Sequence, residues 1–390
     1  MTFDTPINRV GTHCSKWDMM EANYGVSPDR GLAMWVADMD FAPPPAVQQA
    51  LEAMTAHGVY GYFGDDRAYR AAICWWMANR HGWTVDPSWI FSTHGLVNGT
   101  GMCIDSFTRP GDGIILTTPV YHAFARTIKA AGRDVVECHL KVEDGLYQFD
   151  FDAWDAQMTG RERMMILCSP HNPGGRVWSA AELRKVADFC KRHDLILVSD
   201  EIHHDLVFAG HKHVPMAIAA PDIQDRLVMM TATTKTFNLA GGLTGNVIIA
   251  DPDLRAKFAK RMMAMGISPN SFGMHMATAA YSAEGAAWVD ALVNYLDGNR
   301  QIFDAAIASI PGVASMPLQA TYLAWVDFSG TGMAQAEMVA RVGKVAEIAA
   351  SAGETFGSGG ESFLRFNLAM PRAQIAEAGE RLRHAFADLQ

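Results

Sequence analysis

The sequence predicts an α/β fold with a mostly parallel β-sheet, and two observations support this prediction. Through the middle of the chain, short runs rich in β-forming residues alternate with helix-length amphipathic stretches. This alternation is typical of layered α/β proteins, in which successive strands of one sheet are joined through helices. Hydrophobic residues make up 49% of the 390 residues and charged residues 19%, so the chain has enough apolar material for a large core.

The predicted strands are short runs in this middle region. They are Gly113–Thr117, Asp134–Leu140, Met164–Cys168, Leu195–Ser199, Leu227–Ala232 and Asn246–Ala250. Helical patterns lie between them, among them His122–Ala131 and Ala180–His193. Ser179 precedes the second pattern and Glu182 comes three residues later, which indicates a capping box at the start of a helix.

The pattern of the chain also suggests a division into domains. The end of the chain, from about Ala286, is rich in helical patterns of its own. We therefore predict a large domain over residues 46–285 and a smaller domain over residues 286–390. The N-terminal segment, residues 1–45, ends at the proline break Pro43–Pro45 and is predicted to pack with the smaller domain.

Charge and composition exclude several classes of protein. The chain has 32 basic and 42 acidic residues, a formal net charge of −10, and no long run of Lys or Arg. Nucleic-acid binding normally needs a basic surface, so it is not expected here. No apolar run is long enough for a membrane helix, and no secretory signal is visible, so we expect no membrane association. The six cysteines are widely spaced without a CxxC pair, which indicates reduced thiols and a cytoplasmic location.

Reactive side chains follow several of the predicted strands. In open α/β sheets, ligands bind beyond the carboxyl ends of the strands. Tyr121 follows the first predicted strand and Asn172 the third, while Asp200 and His203 follow the fourth and Lys235 the fifth. An aromatic ring, an amide, a carboxylate, an imidazole and an amine are therefore predicted to meet at one edge of the sheet.

These side chains suit a pyridine aldehyde that carries a phosphate. The Lys235 amine can form a Schiff base, and the Asp200 carboxylate can pair with the pyridinium nitrogen. Asn172 can donate to the phenolic oxygen of the ring, and Tyr121 can stack on its face. The phosphate needs main-chain N–H groups at a helix start. The segment His94–Val97, before a helical pattern that runs to Phe107, offers such a turn.

Sequence motifs identify a family resemblance. PHNPGG (170–175), SDEIHHDL (199–206) and TTKTFNLAGG (233–242) resemble the fold type I aminotransferase superfamily of pyridoxal-phosphate enzymes. MWVADMDF (34–41) and FLRFNLAMP (363–371) are similar to the cystathionine β-lyase group, the MalY/PatB type of C–S lyase. The resemblance runs from about Asn8 to Arg383. It implies a large domain with a mostly parallel, seven-stranded type of sheet and a smaller α+β domain.

The resemblance also implies roles for individual residues around the cofactor. Lys235 matches the Schiff-base lysine, Asp200 the partner of the pyridinium nitrogen, and Tyr121 the stacking aromatic; these three form the expected catalytic set. The expected cofactor-binding residues are Gly95, Leu96, Val97, Tyr121, Asn172, Asp200, His203, Thr234, Lys235 and Tyr62. Tyr62, in VYGYFGDD (59–66), resembles a tyrosine that reaches the phosphate of the neighbouring subunit, which implies a homodimer with shared sites.

The substrate is implied to be a small amino acid. Arg365 matches the arginine that binds the α-carboxylate, in the bidentate manner that guanidinium and carboxylate groups favour. Trp35, Ala37 and Asp38 lie in the segment that covers the substrate. Two positions depart from the family: Gly175 often corresponds to an apolar residue, and GLVNGTG (95–101) has Asn98 in place of a proline-containing turn.

The implied reaction is cleavage of cystathionine, cysteine or a related S-substituted cysteine to pyruvate, ammonia and a thiol. His203 favours the lyase, because the lyase group has histidine where many aminotransferases have tyrosine. An aminotransferase that uses the same lysine, aspartate and arginine is the alternative, and a pyridoxal-phosphate-dependent regulator without turnover is a further one. His203, His204, His211 and His213 raise the possibility of a metal hydrolase, but no known ligand spacing is complete, so no metal is expected. Gly95, Gly99 and Gly101 do not form a dinucleotide-binding fingerprint.

Overall fold

The computed structural model describes residues 3–389. Its α-helices are α1 (Ser15–Asp18), α2 (Met20–Tyr24), α3 (Pro45–His57), α4 (Arg67–His81), α5 (Leu96–Phe107), α6 (Ala123–Ala130), α7 (Phe151–Gln157), α8 (Ala180–Arg192), α9 (Met216–Ala219), α10 (Thr233–Thr236), α11 (Pro252–Ala264), α12 (Ser271–Ala280), α13 (Ala283–Ala308), α14 (Gln335–Ala340) and α15 (Arg372–Ala385). Its strands are β1 (Leu32–Ala33), β2 (Ile90–Thr93), β3 (Gly113–Thr118), β4 (Asp134–His139), β5 (Lys141–Glu143), β6 (Leu146–Gln148), β7 (Glu162–Cys168), β8 (Ile196–Asp200), β9 (Leu227–Thr231), β10 (Gly245–Ile248), β11 (Ala314–Ser315), β12 (Leu323–Asp327), β13 (Ile348–Ala349), β14 (Ser351–Ala352) and β15 (Phe363–Asn367). Short 3₁₀ segments and one π-helical turn, Arg341–Val345, complete the description.

The largest sheet within residues 3–389 has seven strands in the order β2-β10-β9-β8-β7-β3-β4. Strand β10 runs antiparallel to both of its neighbours, and the other pairs are parallel. Every residue of β3 and β9 is buried, because helices cover both faces of the sheet. Helices α5, α6 and α11 supply one apolar layer, and α4, α8 and α12 belong to the other. The predicted α/β fold with a mostly parallel sheet is confirmed.

The six predicted strands are all present, with ends that differ by one or two residues. One of these differences between predicted and observed strand ends concerns a site residue. Asp200 was expected to follow its strand and is in fact the last residue of β8. Its register partner in β7 is Cys168, and its carbonyl still accepts the N–H of Ser169 at 3.0 Å, so the ladder continues through it. The capping box at Ser179 and Glu182 is confirmed.

Some elements were not predicted. Strand β2 joins the large sheet through an antiparallel pairing with β10, although the sequence indicated only a short run before the glycine turn. Strands β5 and β6 form a hairpin whose turn, Asp144-Gly145, has positive φ at both residues. The hairpin was not predicted, because its strands are too short to show the alternating pattern of a β-strand.

A second, antiparallel sheet lies in the C-terminal part of the described chain, with the order β11-β12-β15-β14. Helices α13 and α15 pack together beside it. Strand β1 pairs in parallel with β13, where Leu32 and Ala33 face Ile348 and Ala349, so the N-terminal segment contacts this part of the chain. Helix α13 starts at Ala283 and crosses the predicted boundary at 285/286, so that boundary does not fall in a loop. The division into domains otherwise stays a prediction.

No helix among residues 3–389 is both long enough and apolar enough to cross a membrane.

Candidate active site

A cavity of about 540 Å³ lies at the carboxyl ends of the parallel strands, bounded on its far side by β14 and β15. Most of the predicted site residues line it. They are Trp35, Ala37, Gly95, Leu96, Val97, Tyr121, Asn172, Asp200, His203, Thr234, Lys235 and Arg365. The remaining two, Asp38 and Tyr62, lie elsewhere and are described below. Residues as distant in sequence as Trp35 and Arg365 therefore meet around one cavity, and its floor forms because parallel strands deliver their carboxyl ends to the same edge.

Lys235 lies in the short helix α10, directly after β9. Its Nζ donates a hydrogen bond of 2.6 Å to the main-chain oxygen of Ala37. Burial lowers the pKa of the amine from 10.5 to about 8, an effect that the charge of Asp38 opposes and that of Arg365 increases. Because the neutral amine is the nucleophilic and basic form, this environment prepares Lys235 for covalent or proton-transfer chemistry.

Asp200 closes β8 at the floor of the cavity and is 5% exposed. Its Oδ1 accepts the N–H of Ile202 at 3.1 Å. Burial raises the pKa of its carboxyl group to about 7, and the hydrogen bond from Ile202 opposes this rise. A buried carboxylate is stabilised by a cation, so this group is suited to pair with a protonated ring nitrogen.

His203 contributes a neutral imidazole to the same wall. Burial holds the pKa of its ring well below the usual value of 6.5, and the charges of Lys235 and Arg365 add to that effect. Its Nδ1 is buried and has no hydrogen-bond partner among the described residues. A buried ring nitrogen without a partner is unusual, and it marks a position at which a ligand can complete the hydrogen bonding.

Arg365, in β15, is 3% exposed and faces the cavity from the opposite side. Its Nη1 donates to Asn172 Oδ1 at 3.1 Å, and its Nη2 donates to the main-chain oxygen of Trp35 at 2.8 Å. Its Nε is buried without a partner among the described residues. Burial lowers the pKa of the guanidinium to about 10, so it stays protonated near neutral pH. This is a fixed, incompletely satisfied cation, which suits a carboxylate ligand.

The start of α5 forms an anion-binding turn. Gly95 precedes the helix with φ 82° and ψ 168°, a conformation that favours glycine. The first N–H groups of the helix, from Leu96 onwards, have no partner within the helix, and the helix dipole adds a partial positive charge there. Asn98 Oδ1 accepts the N–H of His94 at 3.1 Å, so the asparagine that departs from the family pattern supports the turn. Thr234 lines the same cavity as this turn.

Tyr121 lies on the aromatic side of the cavity. Its ring contacts Phe124 edge to face, with centroids 5.5 Å apart, and His122, with centroids 5.0 Å apart. Burial raises the pKa of the Tyr121 hydroxyl, so it is protonated at neutral pH. These contacts hold a flat ring at the cavity wall, as stacking requires.

The segment Trp35–Asp38 crosses the cavity as a strap whose carbonyl groups are all engaged. Asn367 Nδ2 donates to the oxygens of Val36 and Asp38, at 2.6 Å in both cases. The Ala37 oxygen accepts from the Tyr322 hydroxyl at 2.9 Å as well as from Lys235. The Asp38 carboxylate points to Arg9, which holds it through bonds of 3.0 and 2.8 Å. Asp38 therefore does not line the cavity, and its predicted part in substrate binding has no contact to support it.

Tyr62 lies away from the cavity of its own chain. Its side chain is fully exposed, at 104%. It lines a separate depression with Phe63, Ser271 and His275. Its expected contact with a neighbouring subunit stays a prediction.

Gly175 departs from the family for a local steric reason. Its φ is +63°, and a Cβ there would come within 2.2 Å of Leu318 Cδ1. Its carbonyl accepts the N–H groups of Gln319 and Ala320, so the turn is fixed against the neighbouring segment. A larger residue would have to displace Leu318.

Several cavity residues were missed by the sequence reasoning. They are Tyr24, His122, Phe124, Cys168, Ile202, Ala240, Leu243, Ser351 and Thr355. Two of them support the Arg365 side of the cavity: Arg365 Nη2 donates to Ser351 Oγ at 3.3 Å, and Tyr24 packs on Trp35 with centroids 5.0 Å apart. Tyr24 lies in helix α2 and Ser351 in strand β14, and neither element has a sequence motif that would predict its position. The pairing of β14 with β15 places Ser351 beside Arg365.

The four histidines that were considered for a metal site do not form one group. His203 lines the cavity, whereas His211 is exposed. His204 and His213 are buried and do not line the cavity.

The donor set fits pyridoxal phosphate, the cofactor that the sequence resemblance implies. The cavity brings together an amine with a lowered pKa, a buried carboxylate that needs a cation, and a helix start that can hold a phosphate. The unpartnered Nδ1 of His203 and Nε of Arg365 are further buried groups that a ligand can satisfy.

Comparison with known proteins agrees with this chemistry. Cystathionine beta-lyase PatB of Bacillus subtilis is 38% identical over 390 residues, which cover 99% of this chain and 100% of that protein. Cystalysin from Treponema denticola, whose crystal structure contains a pyridoxal 5'-phosphate cofactor, is 35% identical with a TM-score of 0.95 over 100% of this chain and 99% of that one. A PLP-bound putative aminotransferase from Clostridium difficile 630 is 32% identical with a TM-score of 0.95 over 98% and 99% of the two chains. The predicted resemblance and fold type I are confirmed. The family model described as aminotransferase class I and II matches residues 33–382, so the chain belongs to that family.

Proposed function

We propose that the protein is a pyridoxal-phosphate-dependent C–S β-lyase that acts on cystathionine, cysteine or a related S-substituted cysteine. The observation that carries this proposal is the meeting of Lys235, Asp200 and Arg365 around one cavity in a chain that is 38% identical to a cystathionine β-lyase. Pyridoxal phosphate, when bound, supplies an electrophilic carbon for an amine and a ring that accepts electrons from the substrate.

Different residues of the cavity bind different parts of the cofactor. The turn at Gly95, with the first N–H groups of α5 and the hydroxyl of Thr234, holds the phosphate. Asp200 pairs with the ring nitrogen and keeps a proton on it, while Asn172 donates to the ring oxygen. Because Asn172 Oδ1 already accepts from Arg365, its NH₂ group is the part that can donate.

Arg365 binds the α-carboxylate of the amino acid. Its Nε is free, and its Nη2 can exchange the Trp35 oxygen for a carboxylate oxygen, which gives the two parallel bonds of a guanidinium–carboxylate pair. This contact orients the substrate so that its α-hydrogen faces the Lys235 amine. Trp35 and Ala37, in the strap, exclude water from the same side.

Lys235 Nζ then moves the proton. It removes the hydrogen from the α-carbon, and the C–S bond at the β-carbon breaks with its electron pair leaving on sulfur as a thiolate. The released enamine reacts with water to give pyruvate and ammonia. The pKa of about 8 leaves a useful share of Lys235 amines neutral at physiological pH.

We also infer a homodimer with sites shared across the interface. Large apolar side chains that are exposed in the single chain support it, among them Val59, Tyr60, Tyr62 and Met263 at 72%, 58%, 104% and 82% exposure. Surfaces of this kind are typical of association sites. In this arrangement Tyr62 contacts the cofactor phosphate of the neighbouring subunit. All six cysteines are free, which supports the expected cytoplasmic setting.

Product analysis tests the reaction. With cystathionine or an S-alkyl cysteine and no added keto acid, we expect equal amounts of pyruvate, ammonia and thiol over many turnovers. Elimination returns the cofactor in its starting form, so turnover continues without a second substrate.

An aminotransferase is the second candidate, favoured by the likeness to the putative aminotransferase from Clostridium difficile. It shares proton removal at the α-carbon with the lyase but leaves the amino group on the cofactor. Activity that stops after one equivalent and resumes only when a keto acid is added identifies this reaction and contradicts the lyase.

A further inference from the structure

The main-chain oxygen of Ala37 is the point at which the strap, residues 35–38, meets the proposed catalytic lysine. It accepts a hydrogen bond of 2.6 Å from Lys235 Nζ and another of 2.9 Å from the Tyr322 hydroxyl. A carbonyl oxygen has two lone pairs, so both of its acceptor positions are taken. Lys235 and Tyr322 are therefore joined through a single main-chain atom, although they lie 198 and 285 residues from it in the sequence.

Tyr322 is a fixed donor that lies behind the strap. It directly precedes β12, is fully buried and is not among the residues that line the cavity. Its main-chain oxygen accepts the N–H of Leu368 at 2.7 Å, and its ring meets that of His203 edge to face, with centroids 6.2 Å apart. Burial raises the pKa of the hydroxyl above its ordinary range, so it is protonated. Since a carbonyl can only accept, the hydroxyl donates its single hydrogen to Ala37 and has none left for a ligand.

The peptide groups on either side of this oxygen are held as well. Asn367 Nδ2 donates to the oxygens of Val36 and Asp38, at 2.6 Å in both cases. The Asn367 side chain is fully buried, and its Oδ1 accepts the N–H of Ala369 at 2.7 Å, so the amide cannot turn over without losing all three bonds. The direction of the Ala37 oxygen is therefore set by the protein before any ligand binds.

This oxygen is a suitable acceptor for an amine that acts as a base. A neutral amine has two hydrogens and one lone pair, so Lys235 can donate one hydrogen to Ala37 and still accept a proton. When the proton passes from the α-carbon of the substrate to Nζ, the electron pair of the C–H bond stays behind with the substrate. The bond from Nζ to Ala37 then becomes charge-assisted and stronger. An interaction that strengthens as the proton moves stabilises the transition state more than the starting state.

The acceptor is also neutral, which keeps the amine usable as a base. A carboxylate bound to Nζ would hold a proton on it and raise its pKa. The Asp38 carboxylate is next to Ala37 in the chain, but it binds Arg9 at 3.0 and 2.8 Å, and the amine binds the carbonyl instead. The strap therefore offers Lys235 a hydrogen-bond acceptor without offering it a counter-ion in direct contact.

We propose that the Ala37 oxygen is the acceptor that holds the free Lys235 amine while it removes the α-proton, and that Tyr322 is the positioning residue that fixes this oxygen. The inference rests on the proposed role of Lys235 as the base of the reaction. A tyrosine with a purely structural role would stabilise the fold without a specific effect on the removal of the α-proton.

Exchange of the α-hydrogen of L-alanine in heavy water tests the role of Tyr322. Alanine has no leaving group on its β-carbon, so proton NMR of the exchange by the holoprotein reports proton removal alone. Tyr322→Phe should lower the rate constant of exchange about 2- to 10-fold, the range that one neutral hydrogen bond is worth. The alanine concentration that gives the half-maximal rate and the visible spectrum of the bound cofactor should not change.

The matched control for this exchange experiment is Tyr147→Phe. Tyr147 is also buried, and its hydroxyl is bonded to Trp325 Nε1 at 2.9 Å, away from the strap. The control should exchange alanine as the wild type does. A folded Tyr322→Phe protein that exchanges at the wild-type rate, or a control that slows as much as Tyr322→Phe, overturns the inference.

A second measurement needs neither a variant nor turnover. The wild type is crystallised with N-(5'-phosphopyridoxyl)-L-alanine, a stable compound in which the cofactor is already joined to an amino acid and Lys235 is left unattached. We expect Lys235 Nζ to lie within about 3.2 Å of the Ala37 oxygen, with the Tyr322 hydroxyl on the same oxygen. An amine that is bonded to another acceptor overturns the inference, even if both variants fail to fold.

Failure of the proposed function gives a different result. A wild type that exchanges the α-hydrogen of alanine, holds its amine on Ala37 in the crystal and yet releases no pyruvate from any cysteine thioether contradicts the lyase and supports the inference. A wild type that releases pyruvate while its amine is bonded elsewhere in the crystal supports the lyase and overturns the inference.

Discussion

Arg365 and Asn172 are 193 residues apart in the sequence, yet Arg365 Nη1 donates a hydrogen bond of 3.1 Å to Asn172 Oδ1. Both residues line the cavity, and the bond joins the antiparallel sheet to the loop after β7. The proposed carboxylate-binding residue and the proposed ring-binding residue are therefore parts of one hydrogen-bonded unit, and the predictions below begin with it.

Arg365→Ala should weaken substrate binding while the cofactor remains bound. A hydrogen bond to a charged partner is worth about 1.5–3 kcal/mol, so kcat/KM should fall by roughly 10- to 150-fold for each such bond lost. Steady-state kinetics and the visible spectrum measure the two effects separately. Arg67→Ala, at a side chain that is 89% exposed, is the control. Unchanged kinetics would remove Arg365 from the substrate site.

The rate of cofactor attachment should depend on pH through Lys235. The neutral amine attacks, and its pKa of about 8 lies below the usual 10.5. At pH 7 about a tenth of the amines are then neutral, against about one in three thousand for an ordinary lysine. The rate constant for binding of pyridoxal phosphate to the apoprotein should rise about tenfold per pH unit below about pH 8 and level off above it. Stopped-flow absorbance measures it, and Lys235→Ala should show no such phase. If the rate constant instead levelled off at about pH 10.4, the ordinary lysine pKa, the lowered pKa of Lys235 would be contradicted.

Asp200→Asn keeps the shape of the side chain but removes its charge. We expect weaker cofactor binding and a loss of activity of about 10²- to 10⁴-fold, the range typical of acid–base groups. The matched control is Asp222→Asn, at an exposed carboxylate. Activity within a few-fold of the wild type would mean that another group protonates the ring.

The shared site is tested by mixing two inactive subunits. Tyr62→Phe chains combined with Lys235→Ala chains should give heterodimers in which one site carries neither change. Activity should recover to about a quarter of the wild-type value, because half of the dimers are mixed and each has one intact site. The measurement is activity after co-refolding, with each variant alone as control. A fully active monomer contradicts the dimer.

The sequence predicted the parts of the site that lie at strand ends. Asn172, Asp200 and Lys235 follow or close β-strands of strong apolar character, so topology alone places them together. Asp38 shows the limit of this reasoning: the residues before it line the cavity, but the direction of its side chain depends on Arg9, which is distant in sequence.

The wall formed by Tyr24 and Ser351 could not be predicted in the same way. Helix α2 has five residues and β14 has two, too few for a periodic signal. The antiparallel pairing of β2 with β10 was missed for a similar reason, since β2 has only four residues. Short elements are fixed by tertiary contacts, and such contacts leave little trace in local sequence.

The strap over the cavity has a consequence for how the enzyme can diversify. From Trp35 to Asp38 it is held by its carbonyl oxygens, and the donors are side chains from outside it: Arg365, Asn367 and Tyr322 among them. Main-chain acceptors are the same whatever residue they belong to. The side chain at position 36 can therefore be exchanged without loss of the path that the chain takes over the cavity. Trp35 differs, because its ring is itself held by Nε1, which donates to the Lys16 oxygen at 2.8 Å, and by its contact with Tyr24. A library at position 36 should yield many folded, cofactor-binding variants with altered preference for the group on sulfur.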